Sequence, residues 1–117
     1  PCTIDRFRPN IVLDGLEPWA EDGLPAIRIG EVKIDLSRPC NRCGVPNIDQ
    51  STGVAEEFGN LQILSKRRLL KNYRGKPGAM FGVQGVCTSG IGKAIHVGDA
   101  IQTANLDPSL PALPRVY

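Results

Sequence analysis

The alternation of apolar and polar residues predicts short strands joined by turns. Residues 26–29 and 31–36 alternate with a period of two, and Gly30 lies between them, which predicts either a hairpin or one bulged strand. Further strands are predicted at residues 10–13, 80–87 and 93–103, and a turn is predicted at residues 49–53. The hydrophobic pattern therefore favours a mainly β fold.

Residues 60–74 form the one segment with a helical pattern. Asn60 is a candidate cap, and Gly75 follows the last turn. Its apolar residues fall on one ragged face: Leu61, Leu64, Leu69, Leu70 and Tyr73. Its cations, such as Arg67 and Lys71, share another side. A solvated surface is the usual explanation of such a basic face, and docking of an anionic partner protein is the lesser one.

The composition predicts many turns between these elements. Gly (13 residues) and Pro (10 residues) make up nearly a fifth of the 117 residues, which suits a small β-barrel-like single domain with one or two helices. We expect residues 1–105 to form this domain and residues 106–117 to be a proline-rich tail. The net charge of +2 is too small to predict nucleic-acid binding. With no membrane-length apolar run and no secretory signal, a cytoplasmic protein with free thiols is expected.

Cys40 and Cys43 form the one pair with recognisable chemistry, and four interpretations compete. A structural zinc site needs four ligands, whereas the other candidates (Cys2, Cys87 and His96) are isolated. A thioredoxin-type redox pair normally opens a helix, which the following Gly-Val-Pro disfavours. A pair of buried or disulfide-bonded cysteines without function is the default. The fourth interpretation is a single thiolate ligand to a soft metal.

The loop around this pair has features that suit a metal ligand. Pro39 and Pro46 bracket it and restrict its backbone. Arg38 and Arg42 flank the cysteines, and their charge favours a thiolate and an anionic ligand. The residues alone do not raise this interpretation above the default.

Seven segments in register resemble the MOSC domain, the module found in molybdenum cofactor sulfurases and in the amidoxime-reducing enzymes. They are RFRPN at residues 6–10, AED and IGEV between residues 20 and 32, CNRC at 40–43, DQSTG at 49–53, LKNYR at 70–74, FG at 81–82 and VGD at 97–99. A single motif of this length is weak, whereas an ordered series over most of the chain is specific. The fold that the resemblance implies is the MOSC-type β-barrel.

The resemblance also implies roles for individual residues. Cys43, the second cysteine of the C-x-R-C motif, would ligate molybdenum and be the catalytic residue. The cofactor-binding positions would be Arg8, Asn10, Asn41 and Arg42. Arginine forks and asparagine amides suit a pyranopterin, which carries a phosphate and polar ring edges. Arg6 is expected to be structural. We further expect Arg8, Asn10 and Arg42 to converge on Cys43. Cys43 is expected to be accessible at the floor of a pocket and not to form a disulfide with Cys40.

The implied function is that of a molybdenum cofactor-binding domain in an oxidoreductase that reduces N-hydroxylated compounds. Its electrons would come from a flavin or iron–sulfur partner protein, and no pyridoxal phosphate site is recognisable in the chain. The alternative is a non-catalytic module that carries the cofactor or its sulfur to another enzyme. Two-domain members have an N-terminal barrel for which these 117 residues leave no room, so we expect weak cofactor retention or a pocket completed by another segment.

Overall fold

A computed structural model describes residues 2–57, 59–72 and 74–103 of the chain. The predicted proline-rich tail at residues 106–117 and the predicted helix residue Tyr73 lie outside the described residues. Within them the chain forms two compact units. The first contains residues 2–16 and 40–81, and the second contains residues 17–39 and 82–103.

The described strands form one five-stranded antiparallel sheet. The strands are β1 (Ala26–Ile29), β2 (Val32–Asn41), β3 (Leu69–Lys71), β4 (Pro77–Ser89) and β5 (Ile101–Thr103). Their order is β3-β4-β2-β1-β5, and the long strands β2 and β4 contribute residues to both units. The single α-helix of the described residues is α1 (Asn60–Arg67), and 3-10 helices lie at Ile4–Phe7, Ala20–Gly23 and Val45–Asn47. The mainly β prediction is confirmed, although the described strands are not closed into a barrel.

In the second unit, the predicted hairpin is present. Ile29 pairs with Val32, so Gly30 and Glu31 form a two-residue turn. Gly30 has a φ of 57°, in the left-handed region that such turns require. Ile27, Ile29 and Val32 are buried, as the alternating pattern predicts.

In the first unit, α1 begins differently from the prediction. The cap position is Gly59, and Asn60 is the first helical residue. The amide of Asn47 supplies the missing acceptor, since its Oδ1 accepts a hydrogen bond from Leu61 N at 2.8 Å. Gln62 Oε1 also accepts from Gly59 N at 3.1 Å. The cap therefore comes from a residue distant in sequence, which a local pattern does not reveal.

Helix α1 ends at Arg67, so the prediction of a helix through residue 74 was wrong in its second half. Residues 69–71 form β3 instead, with Leu69 paired to Ala79 of β4. Arg68 O also accepts a hydrogen bond from Met80 N at 3.1 Å. Pairing with β4 outweighs the helical propensity of this segment, because ladder hydrogen bonds are worth more than the small differences in intrinsic propensity.

The other strand predictions had mixed outcomes. The strand predicted at residues 80–87 lies within β4, whereas of residues 93–103 only 101–103 are in a strand. Residues 10–13 are not a strand, and Val12 is 61% exposed. Cys87, the last residue of the strand predicted at 80–87, is exposed near the end of β4, whereas its position in an apolar strand favours burial. No α-helix among the described residues is long and apolar enough to cross a bilayer.

Two glycines after β4 provide a test of the second unit. Gly90 and Gly92 both have left-handed backbones, with φ of 75° and 86°. A Cβ at Gly90 would overlap the carbonyl of Glu31, whereas a Cβ at Gly92 would meet open space. We expect Gly90→Ala to lower the free energy of unfolding by about 3 kcal/mol and Gly92→Ala by about 1 kcal/mol. Urea titrations of both variants check this, and equal losses would contradict the overlap.

Candidate functional site

The cysteine pair lies where β2 ends. Cys40 is the penultimate residue of β2 and is half-buried, whereas Cys43 lies beyond the strand and is exposed. Neither cysteine forms a disulfide bond, and neither do the other two cysteines of the chain. The expectation that Cys43 is accessible and not disulfide-bonded to Cys40 is therefore confirmed. Its expected position at a pocket floor stays a prediction.

Arg42, between the two cysteines, joins three segments of the first unit. Its Nε donates to the carbonyl of Phe81 at 2.8 Å, and its Nη1 donates to the carbonyl of Phe7 at 2.9 Å. The Arg42 backbone N–H donates to Ala79 O at 2.8 Å. The two bonds from the guanidinium group are charge-assisted and are therefore stronger than neutral hydrogen bonds. We call this set of three hydrogen bonds the Arg42 clamp.

The clamp lies against two stacked aromatic rings. The rings of Phe7 and Phe81 are 4.0 Å apart at their centroids, with an interplanar angle of 17°. The guanidinium carbon of Arg42 lies 5.7 Å from the Phe7 centroid and 6.0 Å from the Phe81 centroid. Phe7 also packs in a buried cluster with Leu64 and Ala79. The cysteine segment is thus attached to the core of its unit.

The clamp makes the first predicted motif a neighbour of the cysteine segment. Phe7 and Arg42 are 35 positions apart in the chain but are joined by a hydrogen bond. Arg8 directly follows Phe7 and Cys43 directly follows Arg42, so Arg8 and Cys43 lie in adjoining segments. Arg8 has a left-handed backbone (φ 48°), which is unusual for a residue with a side chain. Convergence of the Arg8 and Asn10 side chains on Cys43 stays a prediction, because the contacts that place the segments together are those of Phe7.

Four exposed polar side chains lie in or next to the segments that the clamp joins. Within the described part of the chain, these side chains make no hydrogen bond or ion pair: Arg8, Asn10, Asn41 and Cys43. Asn41 lies over Gly78, where a Cβ would overlap its amide. Arg42 differs from these four, since two of its guanidinium nitrogens already bind backbone carbonyls. Its role is therefore at least partly structural.

Arg6 belongs to a separate ion-pair network. Its Nη2 lies 2.9 Å from Glu56 Oε1 and 3.2 Å from Asp49 Oδ2, and its side chain is only 13% exposed. These contacts bear out the expectation that Arg6 is structural.

Asp49 orders the turn of the D-x-x-T-G motif. Its Oδ1 accepts hydrogen bonds from the Ser51 hydroxyl at 2.6 Å, from Ser51 N at 2.9 Å and from Thr52 N at 3.0 Å. These donors, the Ser51 hydroxyl foremost, lower the pKa of Asp49 to about 2. The predicted turn is confirmed.

This lowered pKa predicts a specific pH dependence. Because the folded-state pKa of about 2 is below the ordinary value of 3.8, the stabilisation is complete above pH 4 and is lost as the pH falls towards 2. Asp49→Asn keeps an acceptor oxygen but removes the titration. We therefore expect its free energy of unfolding to fall less steeply than that of the wild type between pH 4 and pH 2. Parallel slopes in denaturant titrations would contradict this.

Comparison with known proteins places these features in a family. The sequence model of the MOSC domain matches residues 1–102. The chain belongs to the MOSC domain family. The predicted resemblance is therefore confirmed.

Relatives of this MOSC domain are larger proteins. It is 36% identical to the molybdenum cofactor sulfurase of Oryza sativa subsp. japonica over 87 residues, which cover 71% of this chain and 10% of that protein. It is 36% identical to the mitochondrial amidoxime-reducing component 1 of Mus musculus over 64 residues, 55% of this chain and 19% of that protein. The molybdenum cofactor sulfurase of Drosophila grimshawi is 47% identical over 51 residues, 44% of this chain and 7% of that protein. The chain thus spans at most about a fifth of these relatives.

The structure gives no support to a zinc site in this MOSC domain. Among the described residues, no three His, Cys, Asp or Glu side chains lie close enough together to hold a metal ion. His96 is on the surface, where its Nδ1 lies 3.7 Å from Asp99 Oδ2. A single protein thiolate completed by a cofactor remains compatible with this arrangement.

Proposed function

We propose that this MOSC domain binds the molybdenum cofactor and that Cys43 supplies a thiolate ligand to the metal. The observation that carries the proposal is a free, exposed thiol in a segment that the Arg42 clamp fixes to the core of its unit. A ligand that is held before the metal arrives loses little conformational entropy on binding. The names of the relatives, which refer to this cofactor or to amidoxime reduction, support the same choice.

The chemistry of the exposed polar side chains next to the clamp fits this cofactor. Arg8 presents guanidinium donors suited to a phosphate, and Asn10 and Asn41 present amides that can both donate and accept. The side chains of all three are exposed and make no hydrogen bond within the described residues. Arg42 keeps Nη2 for the cofactor, while its other contacts hold Cys43 and Arg8 in adjoining segments.

We further propose that the domain serves an oxidoreductase that reduces N-hydroxylated compounds. When bound, the molybdenum centre supplies two-electron redox chemistry, which converts an N–OH group, two electrons and two protons into N–H and water. The protein would contribute the Cys43 thiolate and the cofactor's orientation. A flavin or iron–sulfur protein would deliver the electrons. The mouse relative named as an amidoxime-reducing component favours this function.

A non-catalytic carrier of the cofactor or its sulfur is the second candidate. It is favoured by the rice relative, a molybdenum cofactor sulfurase, whose match covers 71% of this chain against 55% for the mouse protein. Both functions use the same thiol, so the cysteine alone does not separate them.

One experiment distinguishes the two functions. The chain would be produced in cells that make the cofactor, and its molybdenum content and its reduction of benzamidoxime by a reduced viologen dye would be measured. Molybdenum with turnover supports the reductase. Molybdenum without turnover, followed by transfer to a cofactor-free acceptor enzyme, supports the carrier. A chain that acquires no molybdenum, alone or with an added N-terminal barrel domain, would overturn both.

A further inference from the structure

Charge is distributed very unevenly along this chain. Residues 58–98 contain seven Lys or Arg residues and no Asp or Glu, whereas the rest of the chain contains seven cations and all twelve acids. The modest net charge of +2 therefore conceals a strongly basic segment. Such an asymmetry creates a local field that a near-neutral total would not suggest.

Six of these seven cations lie between the end of α1 and the loop of the β3–β4 hairpin in the first unit, and the seventh, Lys93, lies in the second unit. Four of them are exposed and have no ion-pair partner within the described residues: Lys66, Arg67, Lys71 and Lys76. Two apolar side chains lie among them in the sequence and are also exposed, Ile63 at 59% and Leu69 at 57%. We call these six residues the basic surface. A positively charged patch of this kind can meet a complementary negative patch on a partner protein, which speeds association and selects the partner.

The hairpin that carries half of the basic surface has several hydrogen bonds among its described loop residues, 72 and 74–76. Asn72 N donates to Lys76 O at 2.7 Å, and Gly75 N donates to Asn72 O at 2.8 Å. The side-chain oxygen of Asn72 accepts from Arg74 N at 2.9 Å and from Lys76 N at 3.0 Å. The loop backbone next to Lys71 and Lys76 is therefore fixed, which lowers the entropic cost of binding a partner there.

The basic surface lies close to the candidate site within the same unit. Leu69 pairs with Ala79, and the carbonyl of Ala79 accepts the hydrogen bond of the Arg42 backbone N–H. β3 is thus separated from the cysteine strand by β4 alone. At the usual spacing of neighbouring strands, the two backbones are about 10 Å apart.

We propose that the basic surface docks an acidic face of the protein that delivers electrons to this domain. The proposal rests on the proposed reductase function, because only that function needs an electron donor. Charge complementarity selects an acidic partner, and the short distance to the cysteine segment suits electron delivery. A protein is favoured over an anionic membrane, because α1 has only eight residues and a rigid hairpin presents half of the charges.

A direct binding measurement tests the surface. The 117-residue chain, without cofactor, would be titrated with an acidic plant-type [2Fe–2S] ferredoxin at low ionic strength. We expect Lys71→Glu/Lys76→Glu to weaken binding by about tenfold, and added salt to remove most of the difference. The matched control is Lys33→Glu/Lys93→Glu, which makes the same change in net charge in the second unit. It should weaken binding by no more than about threefold.

Three outcomes would overturn the docking proposal. They are equal weakening by the two double variants, no binding of ferredoxin by the wild type, and binding to phosphatidylserine vesicles in place of ferredoxin. Because the titration needs no molybdenum, its result does not depend on the ligand role of Cys43. A chain that docks ferredoxin but acquires no molybdenum, alone or with an added N-terminal barrel domain, would refute the proposed function and leave the acidic-partner surface standing.

Discussion

Replacement of Cys43 by alanine is expected to abolish molybdenum retention while leaving the fold intact. The thiolate is the one protein ligand that the proposed site offers to the metal, and a methyl group does not replace it. The side chain is exposed, so its loss removes little packing. Molybdenum per chain, measured by mass spectrometry after gel filtration, should fall to background, and the thermal unfolding midpoint should stay within a few degrees of the wild type.

Cys40→Ala is the matched control for this prediction. Cys40 lies three positions before Cys43 and is not a proposed ligand, so the Cys40→Ala variant should retain molybdenum. Because Cys40 is half-buried, its replacement should cost on the order of 1 kcal/mol of stability. Equal molybdenum retention by the wild type and by Cys43→Ala, both folded, would refute the ligand role. Stoichiometric zinc lost from both variants would instead favour a structural metal site.

The parts of the fold that were predicted correctly depend on local sequence. The β1–β2 hairpin follows from period-two alternation around Gly30, whose positive φ a two-residue turn requires. The turn at Asp49 follows from its side chain, which binds the next residues of the same loop. In both cases the residues that determine the structure are neighbours in the chain.

The incorrect parts depend on partners far away in the sequence. Residues 69–71 have a helical pattern but pair with β4, and the cap of α1 comes from Asn47, 14 positions before its partner Leu61. Residues 10–13 are apolar like a strand but find no partner strand within the described residues. A periodic pattern identifies apolar faces, whereas tertiary pairing decides which secondary structure uses them.

For the candidate site, the family resemblance identified the segments but not the contacts between them. It grouped Arg42 with the cofactor-binding residues, whereas the structure shows that two of its nitrogens bind the carbonyls of Phe7 and Phe81. The sequence gives no sign of these bonds, because backbone carbonyls are present at every position. The one available signal was aromatic: the chain has three Phe residues, and two of them lie in the motifs that Arg42 joins.

Loss of the two side-chain hydrogen bonds of the Arg42 clamp is expected to lower the stability of the fold as strongly as Gly90→Ala does. Arg42→Met keeps much of the apolar stem but removes two charge-assisted hydrogen bonds and leaves the carbonyls of Phe7 and Phe81 without these donors. Each such bond contributes about 1.5 kcal/mol or more, so we expect the free energy of unfolding to fall by about 3 kcal/mol in urea titrations. Arg38→Met is the control, since Arg38 Nε donates to Gln84 Oε1 at an exposed site. It should cost less than about 1 kcal/mol.

Arg42→Lys separates the charge of the clamp from its geometry. The ammonium group retains the positive charge, but it is a single centre that does not match the planar fork spanning the Phe7 and Phe81 carbonyls. We therefore expect Arg42→Lys to recover less than half of the stability lost in Arg42→Met. If lysine restored full stability, local charge rather than the two directed bonds would hold the cysteine segment. If Arg42→Met were as stable as the wild type, the clamp would not fix Cys43 to the core, and the pre-arranged thiol on which the proposed function depends would lose its physical basis.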